Sequence, residues 1–134
     1  MNIYLDNAAT TQIDKDVLDA MYSVMKDNYG NPSSVHGFGR KARAEVEKAR
    51  RSVSSLLKIS PSEIFFTSGG TEADNMAIAC SIRDLGVRHI ITSKIEHHAV
   101  LHTVEAAELN EGVKISYVNL TNNGHVDLNH LEQL

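Results

Sequence analysis

From residue 64 onward the sequence alternates between short β-branched or aromatic runs and longer stretches with helical periodicity. Strands are predicted at residues 64–67, 88–93 and 113–118. Helices are predicted between them, at residues 71–84 and 97–110, each followed by a glycine that can end it, Gly86 and Gly112. This order is typical of parallel strands joined by right-handed helical crossovers. The sequence therefore predicts an α/β fold containing part of a mostly parallel sheet.

Two helices are predicted before this alternating region. Residues 14–28 place apolar side chains on one helical face, with Asp14 as the N-cap, and residues 37–57 repeat the pattern over a longer stretch. The loop at 29–34 contains glycine and proline, which separate the two helices. Residues 60–63, Ser-Pro-Ser-Glu, have the sequence of a capping box.

Composition narrows the class of protein. The 134 residues carry 13 basic and 17 acidic side chains, a formal charge of −4, which argues against a dedicated nucleic-acid binder. A single cysteine, Cys80, excludes an intrachain disulfide framework and indicates a reducing compartment. The N-terminus does not resemble a signal peptide, and no apolar run reaches the roughly 18 residues of a membrane span. We expect a cytoplasmic protein that contacts neither membrane nor nucleic acid directly.

The turn Ser68-Gly69-Gly70-Thr71 follows the first predicted strand and opens the next helix. Ligands of open α/β sheets bind beyond the carboxyl ends of the strands, where a helix N-terminus presents unpaired amides to an anion. Glycine lets those amides approach closely, and the hydroxyls of Ser68 and Thr71 can donate hydrogen bonds. The alternative is an ordinary turn with Ser68 or Thr71 as the helix cap. The residues alone leave both interpretations open.

Three further features have a structural alternative that we favour. His98 and His102 have the spacing of two metal ligands on one helical face, but no third ligand is evident, so we expect no metal site. The basic residues of the 37–57 helix are interrupted by Glu45 and Glu47, which indicates a solvated face. Cys80 lies in an apolar stretch and is predicted to be buried and inert.

Four motifs in this order resemble those of the cysteine desulfurases, pyridoxal-phosphate enzymes of the class V aminotransferase group. They are YLDNAATT at residues 4–11, NPSS at 31–34 with His36, FTSGGTEADN at 66–75, and Glu96-His97. The resemblance covers essentially this whole chain but only about the first third of such an enzyme. It implies the large domain of a fold type I pyridoxal-phosphate transferase, incomplete here, with residues 14–134 in that domain and residues 1–13 associated with the small domain.

The resemblance also implies a site and a reaction. The turn at Gly70 and Thr71 is expected to bind the phosphate of pyridoxal 5′-phosphate, and His97 to stack on its pyridine ring and assist proton transfers. Such enzymes remove sulfur from L-cysteine, leaving alanine and an enzyme persulfide. They pass the sulfur to an iron–sulfur cluster scaffold or a tRNA-thiolation factor, and they work as homodimers with sites built partly from both subunits.

Several groups that this chemistry needs are not expected within the 134 residues. None of the seven lysines lies in the family's Schiff-base motif, and Cys80 is not in the context of the persulfide-carrying cysteine. An apolar face begins after Asp127 and stops at Leu134, so we expect the start of a larger protein that is inactive as a fragment. The alternatives are another class V enzyme, such as a selenocysteine lyase, and a non-catalytic interaction module.

Overall fold

The structure, a computed structural model, describes residues 3–134, which form two compact units that meet in sequence at Phe65 and Phe66. Residues 1 and 2 of the predicted segment 1–13 lie outside this range. The helices are α1 (Lys15–Asp27), α2 (Gly37–Leu57), α3 (Gly70–Arg83), α4 (His98–Glu111) and α5 (Leu128–Leu131). The strands are β1 (His89–Ser93) and β2 (Lys114–Val118).

The first unit contains α1 and α2 with their predicted bounds confirmed to within a residue. Asp14 caps α1, accepting a hydrogen bond from the Asp16 amide at 2.9 Å. The loop before α2 packs closely against that helix, since a Cβ added to Gly39 would lie 2.4 Å from the Ser34 carbonyl oxygen. Only glycine fits there. The predicted capping box is also present, with the Ser60 amide donating to Glu63 Oε2 at 2.7 Å around a short 3₁₀ turn.

The second unit contains the β1–α4–β2 arrangement that the alternating sequence predicts. The two strands are parallel and in register from His89 opposite Lys114 to Ser93 opposite Val118. A small apolar core joins α3, α4 and the sheet, and it is formed by Ile78, Ile82, Ile90, Ala107, Val113 and Ile115. Gly112 ends α4 with a positive φ of 66°, as predicted from its place after the helix. These elements confirm the α/β class.

The prediction of a strand at residues 64–67 is wrong. Residues 64–67 are not part of a sheet, although Ile64 has extended dihedral angles of −98° and 123°. Phe65 and Phe66 are 70% and 53% exposed. An extended segment becomes a strand only by hydrogen bonding to a neighbour, and no strand within residues 3–134 pairs with it. Ile64 is therefore extended as a strand residue would be, but residues 64–67 do not join the β1–β2 sheet.

The expected burial of Cys80 is also wrong, because its side chain is exposed. The apolar face of α3 that enters the core is the one carrying Ile78 and Ile82. Cys80 lies between them in sequence, about 200° from each around a helix, and therefore points away from the core. An apolar run in a helix does not by itself say which of its members is buried.

Candidate functional site

The turn that precedes α3 leaves the N-terminus of that helix without a side-chain cap. The N-cap residue is Gly69, so the alternative in which Ser68 or Thr71 caps the helix is wrong. The first intrahelical bond runs from the Ala73 amide to the Gly69 carbonyl at 3.2 Å. The amides of Gly70 and Thr71 precede that bond and therefore face outward. Together with the positive end of the helix dipole, they form an arrangement suited to an anion.

Glu72 folds back over the turn and holds Ser68 in place. Its Oε2 accepts hydrogen bonds from the Ser68 amide at 2.6 Å and from the Ser68 hydroxyl at 2.7 Å. These two bonds, the backbone bond first, lower the pKa of the Glu72 carboxyl below its ordinary value. The Ser68 hydroxyl, predicted as a phosphate donor, is therefore already engaged. The Thr71 hydroxyl bonds to no residue of the described chain.

His97 begins α4 and caps it. Its Nδ1 accepts a hydrogen bond from the Ala99 amide at 3.1 Å. A ring nitrogen that accepts carries no proton, so the neutral imidazole holds its proton on Nε2. The ring is exposed, so Nε2 can donate a hydrogen bond to a ligand beside it.

Thr71 and His97 meet in one cleft between α3 and α4. The cleft has a volume of about 780 Å³, which is within the range of pockets for cofactor-sized ligands. Its polar lining at the amino ends of the two helices comes from Thr71, Asn75, His97, His98, His102 and Thr103. Gly70 adjoins Thr71 at the first position of α3. The structure thus brings the predicted site residues to one end of one cleft.

Asn75, the last residue of the FTSGGTEADN motif, was assigned no role from the sequence, and Thr103 lies outside the four motifs; the two residues connect the helices at this end. The Asn75 amide nitrogen donates to the Thr71 carbonyl at 2.6 Å, and the Thr103 hydroxyl lies 2.6 Å from Asn75 Oδ1. Asn75 follows Thr71 by four residues, so its place on the same helical face was available from the sequence. The pairing with Thr103, 28 residues further on, was not.

The histidine pair of α4 and the basic residues of α2 make contacts within the protein. The rings of His98 and His102 stack with centroids 5.2 Å apart, and residues 3–134 contain no group of three or more possible metal ligands. In α2, Arg43 donates to the Pro32 carbonyl at 2.8 Å and Arg40 to the Val35 carbonyl at 2.6 Å. These arginines stabilise the preceding loop. None of the helices between residues 3 and 134 is long and apolar enough to span a bilayer.

Comparison with known proteins connects this site to a family. The profile of the class V aminotransferases matches residues 3–134. The cysteine desulfurase IscS of Dictyoglomus turgidum is 45% identical over 134 residues, which cover 98% of this chain and 34% of that protein. The mitochondrial cysteine desulfurase of Drosophila melanogaster is also 45% identical, over 98% of this chain and 29% of its own length.

A solved structure shares the fold closely. A NifS-like protein superposes with a TM-score of 0.91 at 43% identity, covering all of this chain and 37% of its own. SspA in complex with cysteine gives a TM-score of 0.81 at 34% identity, over 94% of this chain and 37% of its own. The family resemblance and the α/β prediction are confirmed. The chain spans about a third of the length of the relatives it matches.

Proposed function

Because this chain belongs to the class V aminotransferase family, we propose that it is the N-terminal part of a pyridoxal-phosphate-dependent cysteine desulfurase. The observation that carries the proposal is the uncapped start of α3, which shares a cleft with His97. That arrangement occurs in a chain 45% identical to proteins named cysteine desulfurases. The names of these relatives favour sulfur removal from cysteine over a selenocysteine lyase. The family match from residue 3 to residue 134 disfavours an unrelated interaction module.

The donors at the α3 turn fit the phosphate of pyridoxal 5′-phosphate. In this proposal the amides of Gly70 and Thr71 and the Thr71 hydroxyl bind the phosphate oxygens, with the helix dipole adding favourable electrostatics. The Ser68 hydroxyl takes no part, because it donates to Glu72. When bound, pyridoxal phosphate supplies an electron sink that stabilises carbanions of amino-acid substrates.

His97 orients the aromatic part of the cofactor. Its exposed ring lies at the same end of the cleft as Thr71, where it can stack on a pyridine ring. Its Nδ1 is occupied by the Ala99 amide. Any proton that His97 holds toward the substrate is therefore the one on Nε2, and a proton on Nδ1 would break the helix cap.

The substrate that we propose is L-cysteine, with sulfur passed to a cluster scaffold or a thiolation factor. SspA, solved in complex with cysteine, supports this choice of substrate at 34% identity. A cytoplasmic homodimer, with residues 1–13 associated with the small domain and residues 14–134 in the large domain, completes the proposal. The dimer and domain assignments rest on the family, and the cytoplasmic location rests on the single cysteine.

We further infer that the Schiff-base lysine and the persulfide cysteine lie outside these 134 residues. Lys94 directly follows β1, and its Nζ lies 5.7 Å from the centroid of the Tyr117 ring. Cys80 is exposed on α3 and is not among the residues that line the cleft. The inference rests on the family resemblance, since none of the seven lysines lies in the Schiff-base motif and Cys80 is not in the context of the persulfide-carrying cysteine.

The proposal is tested by sulfide release. The full-length protein that contains this chain, purified with pyridoxal phosphate, should form alanine and an enzyme persulfide from L-cysteine, and an added thiol reductant should then release sulfide in an amount equal to the alanine. The 134-residue chain, confirmed by mass and treated identically, should release none and yield no specific lysine adduct after borohydride reduction. Formation of alanine from selenocysteine but not from cysteine, under the same reducing conditions, would instead favour the lyase. Specific labelling of Lys94 with sulfide release by the short chain would overturn the placement of the catalytic groups.

A further inference from the structure

We propose that Asn75 and Thr103 are positioning residues that hold the phosphate-binding turn and His97 at a set separation. This inference rests on the proposed function and concerns residues that contact neither the phosphate nor the ring in that proposal. The juxtaposition that carries it is a hydrogen bond between the second turns of α3 and α4, within the cleft that both site residues line.

A continuous series of hydrogen bonds joins the two site residues. The Thr71 carbonyl accepts from the Asn75 amide nitrogen at 2.6 Å, and Asn75 Oδ1 lies 2.6 Å from the Thr103 hydroxyl. The same hydroxyl lies 2.6 Å from the Ala99 carbonyl, so its single proton is shared between two acceptors. The Ala99 amide then donates to His97 Nδ1 at 3.1 Å. Only side chains of Asn75 and Thr103 cross between the helices in this series.

The apolar contacts between the helices lie further along α3 and α4. Ile78, Ile82 and Ala107 form the core on the carboxyl side of the Asn75–Thr103 bond. At the far end, Arg83 and Glu111 form a second polar contact, with 3.9 Å between Nη2 and Oε1. In this proposal the Asn75–Thr103 bond sets the relative position of the amino ends that carry Thr71 and His97. A displacement of about 1 Å at a reacting group is enough to reduce a rate strongly.

Four variants of the full-length protein test the contribution of the Asn75–Thr103 hydrogen bond. Thr103→Val keeps the shape of the side chain and removes the hydroxyl, whereas Thr103→Ser keeps the hydroxyl. Asn75→Ala removes the partner, and the double variant closes a cycle with Thr103→Val. Glu111→Gln is the matched control, because it weakens the other polar contact between the same two helices, away from the site.

Affinity for pyridoxal phosphate is the first measurement. Thr103→Val and Asn75→Ala should each weaken binding by about two- to tenfold, the range for loss of one net hydrogen bond. The double variant should be no weaker than Asn75→Ala, and both Thr103→Ser and Glu111→Gln should bind as the parent does. Additive losses in the double variant, or equal losses for Val and Ser at position 103, would overturn the proposal.

Hydrogen exchange of the cofactor-free protein is the second measurement, and it does not depend on the proposed function. Thr103→Val should raise exchange about two- to tenfold in peptides covering residues 71–79 and 97–106, with little change elsewhere. Glu111→Gln should not affect those peptides. A parent that binds no pyridoxal phosphate would refute the proposed function, and the exchange pattern would then decide this inference alone. Unchanged exchange at both helix starts, or a uniform increase through the protein, would refute it.

Discussion

The starts of α3 and α4 lie in the same unit and differ in how their first amides are satisfied. Each helix has amides at its N-terminus without an intrahelical acceptor. In α4 the His97 ring accepts from the Ala99 amide at 3.1 Å, whereas in α3 the N-cap is Gly69, which has no side chain to offer. The capped end presents an oriented ring, and the bare end presents donors. The two helix starts are therefore suited to different parts of one ligand, an aromatic ring at α4 and an anion at α3.

A third helix, α2, also begins with a histidine cap. His36 begins α2 in the other unit, and its Nδ1 accepts from the Gly39 amide at 3.3 Å. Histidine is not among the preferred N-cap residues, which are serine, threonine, aspartate and asparagine. Capping alone would therefore be better served by another residue at either position. Substitutions at His36 and His97 therefore distinguish the stability lost with a helix cap from the turnover lost with a ring at the cleft.

The largest effect is expected when the ring of His97 is removed while the cap is kept. Asparagine is a better N-cap than histidine, so His97→Asn should be at least as stable as the parent. If His97 holds a proton toward the substrate, turnover of cysteine in the full-length protein should fall about 10²–10⁴-fold. Steady-state sulfide release and thermal unfolding measure the two quantities.

Alanine at the same position distinguishes the cap from the ring. His97→Ala should lose turnover as His97→Asn does and also lose about 0.5–2 kcal/mol of stability. His36→Ala provides the matched measure of what a lost histidine cap costs in stability outside the cleft. Normal turnover in His97→Asn would leave His97 with a capping role only, and the contrast between α3 and α4 would lose its functional meaning.

A smaller effect is expected at the bare end. Thr71→Val keeps the β-branched shape and removes one hydroxyl donor to a phosphate dianion. A hydrogen bond to a charged group contributes about 1.5–3 kcal/mol, so affinity for pyridoxal phosphate should fall about 10- to 150-fold. Ser81→Ala is the control, since its hydroxyl donates to the Ala77 carbonyl within the same helix and away from the turn. Equal affinities of the parent and Thr71→Val would show that the hydroxyl does not contact the phosphate.

What the sequence could predict about these regions follows from how local each feature is. The bounds of α2 and α4, the Asp14 cap and the capping box at Ser60 depend on residues within a few positions, and all were predicted. The strand at 64–67 depends on a pairing partner, and its prediction was wrong. In the site, Thr71 and His97 came from motifs, whereas the Asn75–Thr103 bond spans 28 positions. The hydrogen bond from Ser68 to Glu72 joins residues four positions apart. It was not predicted, because the sequence does not say whether the Ser68 hydroxyl donates to Glu72 or to a phosphate.

The smallest effect, on stability, gives the most direct test of why α3 is uncapped. Gly69 has extended dihedral angles of 168° and −179°, and a Cβ added there would meet nothing within 4 Å. Aspartate can therefore be placed at this position, where its carboxylate would accept from the first amides of α3. Gly69→Asp should raise the stability of the cofactor-free protein by a few tenths of a kcal/mol, because glycine is only slightly worse than aspartate as an N-cap.

The affinity of Gly69→Asp for pyridoxal phosphate should fall, because the new carboxylate accepts from the amides of the turn and repels a phosphate. Gly69→Ala supplies a Cβ without an acceptor, so it should show neither the gain in stability nor the repulsion. Thermal unfolding without cofactor and titration with pyridoxal phosphate measure the two responses in all three proteins. If Gly69→Asp gained stability and still bound pyridoxal phosphate as the parent does, the amides of Gly70 and Thr71 would not be the phosphate site. The glycine would then serve the turn alone, and the two helix starts would differ only in how they are capped.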